Sequence, residues 1–188
     1  MIKFFDYIKD DYYANKRDDF RYCLNRFVTR EHEDIIWKYQ VLLRKEEYYD
    51  SKNRKVLSLF YRRKKNRLGE RLGLTIHKYV FGSGLRIWHY GNIVVSAQAR
   101  VGKNCWLHGD NCIGNKGKGS DGNSPQIGDN VDIGVGAKII GGITIADNVS
   151  IAAGAVVINS CEEEGVILAG VPAKIIHKKD KSEREINK

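Results

Sequence analysis

The sequence contains little proline and little cysteine. Two of its 188 residues are proline and four are cysteine. Cys23, Cys105, Cys112 and Cys161 form no CxxC pair, so we expect reduced, packed thiols rather than disulfides or metal ligands. All 19 glycines lie at Gly69 or later. The residues before Gly69 therefore lack the glycines that can form tight turns in the remainder of the chain.

Long apolar runs are also missing. No stretch approaches the roughly 18 residues that a membrane-spanning helix needs, and the N-terminus MIKFFDYIKDDYY lacks the apolar core and cleavage site of a signal peptide. We therefore expect a cytoplasmic protein. No His-x4-His pair occurs, which argues against a zinc hydratase, and no metal is predicted.

Acidic residues are outnumbered, and the net charge of +9 favours anionic partners. The basic run RRKKNR raises the alternative of a non-catalytic scaffold or nucleic-acid binder. That run lacks the interleaved aromatic residues of a base-stacking surface, so no nucleic-acid partner is predicted. The basic helices leave peripheral contact with an anionic membrane open.

The first part of the chain has the apolar spacing of several helices. The residues that recur at this spacing are Ile35, Ile36, Tyr39, Leu42 and Leu43. Gly69 and Gly73 are expected helix stops. We predict a helical region over residues 1–72, a β domain over 73–177 and a charged tail over 178–188.

In the chain after the predicted helical region, aliphatic residues recur every six positions. One register holds Val95, Val101, Leu107 and Ile113, and a second holds Ile127, Ile133, Ile139, Ile145, Ile151 and Val157. A six-residue unit is too short to fold alone, so the units must stack with these side chains inside. The spacing resembles the left-handed parallel β-helix of hexapeptide repeats, with three hexads in each triangular coil. The predicted fold is mainly β, with an N-terminal α-helical region. The segment NKGKGSDGNSP interrupts the register and should form an exposed loop.

One histidine stands at the edge of a β-prone stretch, in RIWHYGNIVV. For His89 alone, a strand cap or a hydrogen-bonded core histidine is the ordinary interpretation. The surrounding motifs change that interpretation. Four segments together resemble the serine acetyltransferase branch of the hexapeptide acyltransferases, especially its relatives in capsule and exopolysaccharide synthesis. They are GLRIWHYGNIVV, ARVGKNCWL, PQIGDNVDIGVGAKIIGGITIADNVSIAAGAVV and GVPAKII. The resemblance covers about residues 85 to 176.

This resemblance implies an acetyl-CoA-dependent O-acetyltransferase in which His89 is the general base. An imidazole can take a proton from a hydroxyl near neutral pH and return it to the departing thiolate. It also implies that acetyl-CoA lies between subunits of a homotrimer, against small residues of the late coils. The implied cofactor-binding residues are Asn115, Gly134, Val135, Gly136, Ala152, Ala153 and Lys174. A solvated turn lysine is an equal alternative for Lys174.

The sequence departs from the family at positions that concern the orientation of His89 and the binding of the acceptor. Trp88 and Thr75 stand where serine acetyltransferases carry acids, so the partner that orients His89 is open. Asn123 and Ser124 stand where the family has arginine and histidine, and this neutral pair suits sugar hydroxyls better than a carboxylate.

Those departures lead to a predicted sugar or glycan acceptor in surface polysaccharide synthesis. L-serine, in cysteine biosynthesis, is the alternative acceptor. Asn123, Ser124 and His108 are the predicted acceptor-binding residues, and for His108 an exposed coil corner is the alternative.

Overall fold

The computed structural model describes residues 4–15, 32–117 and 123–180. Three helices precede the strands: α1 Phe4–Asn15, α2 His32–Ser51 and α3 Lys55–Leu72. Ile36, Tyr39 and Leu43 share one face of α2 and are buried in the core. The predicted N-terminal helical region is therefore confirmed. Cys23 and residues 181–188 lie outside the described ranges.

The two glycines at the end of α3 have different roles. Gly73 adopts a left-handed φ of 68° and its N–H bonds to the carbonyl of Gly69, so it caps the helix as predicted. The prediction that Gly69 also stops the helix is wrong, because Gly69 lies inside α3. A Cβ atom there would stand 2.4 Å from the carbonyl oxygen of Leu74. Gly69 thus permits close packing of α3 on the first strand.

Fourteen short strands follow α3 in the described chain. They are β1 Leu74–Thr75, β2 Arg86–Ile87, β3 Ile93–Val95, β4 Arg100–Val101, β5 Trp106–Leu107, β6 Cys112–Gly114, β7 Gln126–Ile127, β8 Asp132–Ile133, β9 Lys138–Ile140, β10 Thr144–Ile145, β11 Ser150–Ile151, β12 Val156–Val157, β13 Val166–Gly170 and β14 Ala173–Lys178.

The strands build three sheets that the chain visits in rotation. Sheet A has the order β1-β3-β6-β9-β12, sheet B the order β10-β7-β4, and sheet C the order β14-β13-β11-β8-β5-β2. Neighbouring strands are parallel except for the closing β13–β14 pair. Ile133 pairs with Ile151 and Ile139 with Val157, residues eighteen apart in each case. The structure is thus a parallel β-helix with three faces, A, B and C.

The hexad residues form the interior of this β-helix. All ten aliphatic residues of the two predicted registers are buried. The small or apolar residues two positions before six of them are buried as well: Ala99, Cys105, Val131, Ala137, Val149 and Ala155. Because these side chains are short, the corners of the coils can turn closely. The repeat therefore predicted both the face of each strand and its neighbour.

A column of asparagines supports the turns between sheets B and C. Asn104, Asn130 and Asn148 have φ values of 53°, 56° and 61°. The amide nitrogen of Asn104 donates to Asn130, and that of Asn130 to Asn148, over 3.0 and 3.2 Å. Asparagine tolerates the left-handed region better than most residues with a side chain. We call these three residues the asparagine ladder.

The helices are joined to the β-helix by a buried charged cluster. Arg44 of α2 donates to Asp11 of α1 over 2.7 Å and to Glu47 over 2.9 Å. Its guanidinium also donates to the carbonyl of Gly82 over 2.6 Å. The carboxylate of Asp11 in turn accepts the backbone N–H of Gly84 over 2.8 Å. This cluster ties two helices to the first coil.

The described residues contain no helix long and apolar enough to cross a membrane. Over the same ranges, no group of three or more His, Cys, Asp or Glu residues is arranged to hold a metal ion. Cys105, Cys112 and Cys161 are free thiols. Burial raises the pKa of the Cys105 thiol, so this side chain acts as a small core residue.

Candidate active site

His89 lies at the corner where sheet C passes into sheet A, between β2 and β3. We call the stacked turns between these two sheets the C–A corner. The backbone N–H of Trp88 donates to the carbonyl oxygen of Leu107 over 2.9 Å, so His89 is level with Gly109 of the next coil. A Cβ atom at Gly109 would be 3.4 Å from that of His89. The imidazole is exposed, and a base that must meet a substrate needs this access.

The predicted cofactor residues of the late coils lie at this same corner. Gly134–Gly136 forms the turn from β8 to β9, and Ala152–Gly154 forms the turn from β11 to β12. Gly136 and Gly154 have φ values of 73° and 69°. A Cβ atom at Gly154 would meet nothing within 4 Å, and one at Gly136 nothing closer than 3.8 Å. The corner therefore offers bare backbone and open space beside it, which suits a slender acyl-thioester arm.

A histidine of this corner pairs with a carboxylate on the adjoining face of sheet C. Nε2 of His108 is 2.7 Å from Oδ1 of Asp132, and both side chains are about two-thirds buried, with 32% and 28% exposed. The ring of His108 stacks on that of Trp88, with centroids 5.6 Å apart and an interplanar angle of 17°. The sequence placed His108 near His89 but gave no signal for Asp132, whose contact spans 24 residues.

Asn123 and Ser124 lie at a different corner, where sheet A passes into sheet B. We call it the A–B corner. Oγ of Ser124 is 2.9 Å from Oγ of Ser96, the residue that follows β3. A cavity of about 390 Å³ opens here, lined by Gln98, Asn123, Ser124, Gln126, Gly142, Ile143 and Thr144. These seven residues carry no formal charge, so the predicted neutral character of the pair extends to its surroundings.

The two remaining predicted residues lie on different parts of the β-helix. Asn115 follows β6 at the A–B corner and its side chain accepts the N–H of Gly117 over 3.2 Å. Lys174 is exposed on β14, where it pairs with Ala169. A further lysine, Lys138, is exposed on sheet A, with Nζ 3.4 Å from the carbonyl oxygen of Gly136.

Within one chain, sheet A separates the predicted base from the predicted acceptor pair. The C–A corner precedes β3 and the A–B corner follows it, so the full width of the sheet lies between His89 and Ser124. A three-residue strand spans about 10 Å. The structure therefore brings His89, His108 and the glycine turns together but leaves Asn115, Asn123 and Ser124 apart from them.

A hexad-built β-helix with an exposed histidine beside bare glycine turns fits the hexapeptide-repeat acyltransferases, the class that the sequence motifs resemble. No protein-family model matches the chain. A serine acetyltransferase of Staphylococcus xylosus is 30% identical over 182 residues, which are 94% of this chain and 79% of that protein. The chain belongs to the serine acetyltransferase family. It spans 32% to 49% of the length of further serine acetyltransferases from plants and bacteria.

Solved structures agree with this membership. Serine acetyltransferase of Brucella abortus, in complex with coenzyme A, has a TM-score of 0.72 and 28% identity, covering 95% of this chain and 69% of that one. The enzyme of Neisseria gonorrhoeae, in complex with serine, has a TM-score of 0.69 and 28% identity, covering 93% and 69%. The predicted enzyme class, an O-acetyltransferase with acetyl-CoA as donor, is confirmed.

The predicted sugar acceptor and the capsule or exopolysaccharide branch are wrong. The relatives and solved structures named above are serine acetyltransferases, which matches the alternative acceptor instead. The error came from giving Asn123 and Ser124 control of the acceptor. Within one chain both residues lie at the A–B corner, across sheet A from His89, so their neutral character alone does not decide the acceptor.

Proposed function

We propose that this protein transfers the acetyl group of acetyl-CoA to the hydroxyl of L-serine, with His89 as the general base. One observation carries the proposal. His89 and the turns Gly134–Gly136 and Ala152–Gly154 share the C–A corner, in a chain related along 94% of its length to a serine acetyltransferase.

In this reaction Nε2 or Nδ1 of His89 accepts the hydroxyl proton while the serine oxygen attacks the thioester carbonyl carbon. The carbon–sulfur bond then breaks, and the thiolate takes the proton from the imidazolium. Acetyl-CoA is a substrate here. Its pantetheine arm would lie along the backbone of the glycine turns, where the absence of a Cβ at Gly136 and Gly154 leaves space. Val135, Ala152 and Ala153 border that path, and Lys174 would meet its phosphates as a point charge.

We also propose that the complete site is made by two copies of the chain. Asn115, Asn123 and Ser124 lie at the A–B corner, and a neighbouring copy can bring this corner to the C–A corner of the first. Such a contact joins two different surfaces, which form a ring when the rotation between copies closes, and a closed homotrimer with three sites is the form we propose. The left-handed sense of the coils and the cytoplasmic location remain parts of the same proposal.

The test is thiol release from acetyl-CoA with L-serine, compared between the wild type and His89→Ala. We expect kcat to fall about 10²- to 10⁴-fold in the variant, the usual cost of removing a general base. His77→Ala is the matched control, because His77 is exposed but lies between β1 and β2, away from the C–A corner. Undiminished turnover by His89→Ala would exclude His89 as the base, and a wild type inactive on L-serine would overturn the acceptor.

A further inference from the structure

We propose that Asp132 is a positioning residue of the acceptor site, which acts through His108 to recognise the ammonium group of the acceptor. This inference rests on the proposed function, since it takes the acceptor to be an amino acid. It adds a residue on β8 that the repeat pattern did not single out.

The contact between the two side chains fixes where the imidazole proton lies. Oδ1 of Asp132 is 2.7 Å from Nε2 of His108. An ionised carboxylate can only accept hydrogen bonds, so Nε2 of His108 must be the donor. In the neutral ring Nδ1 then keeps its lone pair and is available to accept a hydrogen bond.

The indole of Trp88 also restrains the ring of His108. Trp88 stacks on His108 at 5.6 Å, and the guanidinium of Arg86 lies 3.5 Å from the centroid of Trp88. The carboxylate of Asp132 therefore restrains Nε2 of the imidazole, and the indole of Trp88 covers one face of its ring. A side chain restrained in this way loses little further conformational entropy when a ligand binds.

The pair stands next to the predicted base. Strands β2 and β5 are parallel with Ile87 opposite Leu107, so Trp88 and His89 lie level with His108 and Gly109. An acceptor whose hydroxyl reaches His89 therefore places its other groups within reach of the next coil.

The chemistry of that neighbourhood fits an ammonium group. Nδ1 of His108 supplies a neutral acceptor, and the carboxylate of Asp132 supplies negative charge. Asp110 is a carboxylate at the corner itself, but it is exposed, whereas the side chain of Asp132 is 28% exposed and paired. Charge that is partly removed from water interacts more strongly, so Asp132 is the better candidate.

The experiment compares L-serine with 3-hydroxypropionate, which keeps the hydroxyl and carboxylate but lacks the ammonium group. In Asp132→Asn we expect the ratio of kcat/KM for these two acceptors to fall roughly 10- to 100-fold, through the KM for L-serine, as for loss of a hydrogen bond to a charged group. The KM for acetyl-CoA should stay within about twofold, because that arm lies along the glycine turns.

Asp129→Asn is the matched control. Asp129 belongs to the same β-helix, but its carboxylate accepts the backbone N–H of Lys103 over 2.7 Å at the B–C turn. We expect its acceptor ratio to equal that of the wild type. In the double variant with His108→Ala, Asp132→Asn should have no further effect on the ratio, because Asp132 acts through His108.

The ¹⁵N chemical shifts of the His108 ring in the wild type give a readout that needs no turnover. We expect the neutral ring to carry its proton on Nε2. A ring protonated on Nδ1, or an unchanged acceptor ratio in Asp132→Asn, would overturn this inference while leaving serine acetylation intact. A wild type that acetylates no L-serine would overturn the proposed function and this inference together.

Discussion

Arg44 shows how much one buried charge contributes to this structure. Burial disfavours its charge, but Glu47 and Asp11 outweigh that cost and raise the pKa of the guanidinium. Its side chain is 1% exposed and that of Asp11 fully buried. Removing Arg44 would therefore leave the two buried carboxylates of Asp11 and Glu47 without their positive partner.

We expect Arg44→Met to lower the free energy of unfolding by about 3–5 kcal/mol, the usual cost of breaking a buried ion pair from one side. Urea denaturation measures this change. Arg63→Met is the control, because Arg63 is exposed on α3, and its effect should stay within about 0.5 kcal/mol. Adding Asp11→Asn and Glu47→Gln to Arg44→Met should recover part of the loss. No recovery would mean that packing rather than charge dominates this position.

At the scale of the element, the asparagine ladder holds the β-helix turns between sheets B and C. Asn130 is its middle member and makes both amide contacts, with Asn104 and Asn148. Its φ of 56° is unfavourable for alanine but not for glycine. Two substitutions can therefore separate the hydrogen bonds of the ladder from the backbone conformation.

For Asn130→Gly we expect a loss of about 1–2 kcal/mol of unfolding free energy, from two hydrogen bonds. For Asn130→Ala we expect about 1 kcal/mol more, because the left-handed conformation disfavours a Cβ atom. Thermal or urea unfolding of both variants gives the comparison. Equal losses in the two variants would show that the turn relaxes away from its left-handed φ.

At the scale of the whole molecule, the proposed site shared by two copies can be tested directly. His89 and the Asn123–Ser124 pair lie on opposite sides of sheet A, so in the proposed ring each would contribute to a different interface. Catalysis by this protein should therefore depend on assembly. Two chains that are each inactive for different reasons should then complement one another.

We expect activity when His89→Ala is co-expressed with a chain carrying both Asn123→Ala and Ser124→Ala. With equal amounts and random mixing, about one quarter of the sites would combine an intact His89 with an intact neighbouring pair. Two affinity tags isolate the mixed assemblies for assay against L-serine. Mixed assemblies without activity would contradict a site shared between His89 of one copy and the Asn123–Ser124 pair of its neighbour.

Much of the fold was predictable because the signal is local. Ile127, Ile133 and Ile139 point inward for the same reason at each repeat, and a period of six specifies both the buried face and the stacking neighbour. Gly73 was predictable as a cap because only a residue that tolerates positive φ ends a helix in this way. Gly69 was misread because its role depends on Leu74, which the chain brings against it only after folding.

The candidate site was predictable in part. His89 and the glycine turns belong to the repeat, so their common corner follows from the register. Asp132 was missed because its partner His108 is 24 residues away, on the next coil of the β-helix. The acceptor was misassigned because the neutral Asn123–Ser124 pair was taken to decide the acceptor by itself.

The sequence by itself determined the repeat, the buried registers, the helical region and the histidine placed beside them. These features depend on the spacing of residues along the chain, which a period of six records directly. The tertiary structure alone decided which polar groups meet: Arg44 with Asp11, Asn104 with Asn130, and His108 with Asp132. Such contacts join residues more than twenty positions apart, and only the path of the folded backbone sets those distances.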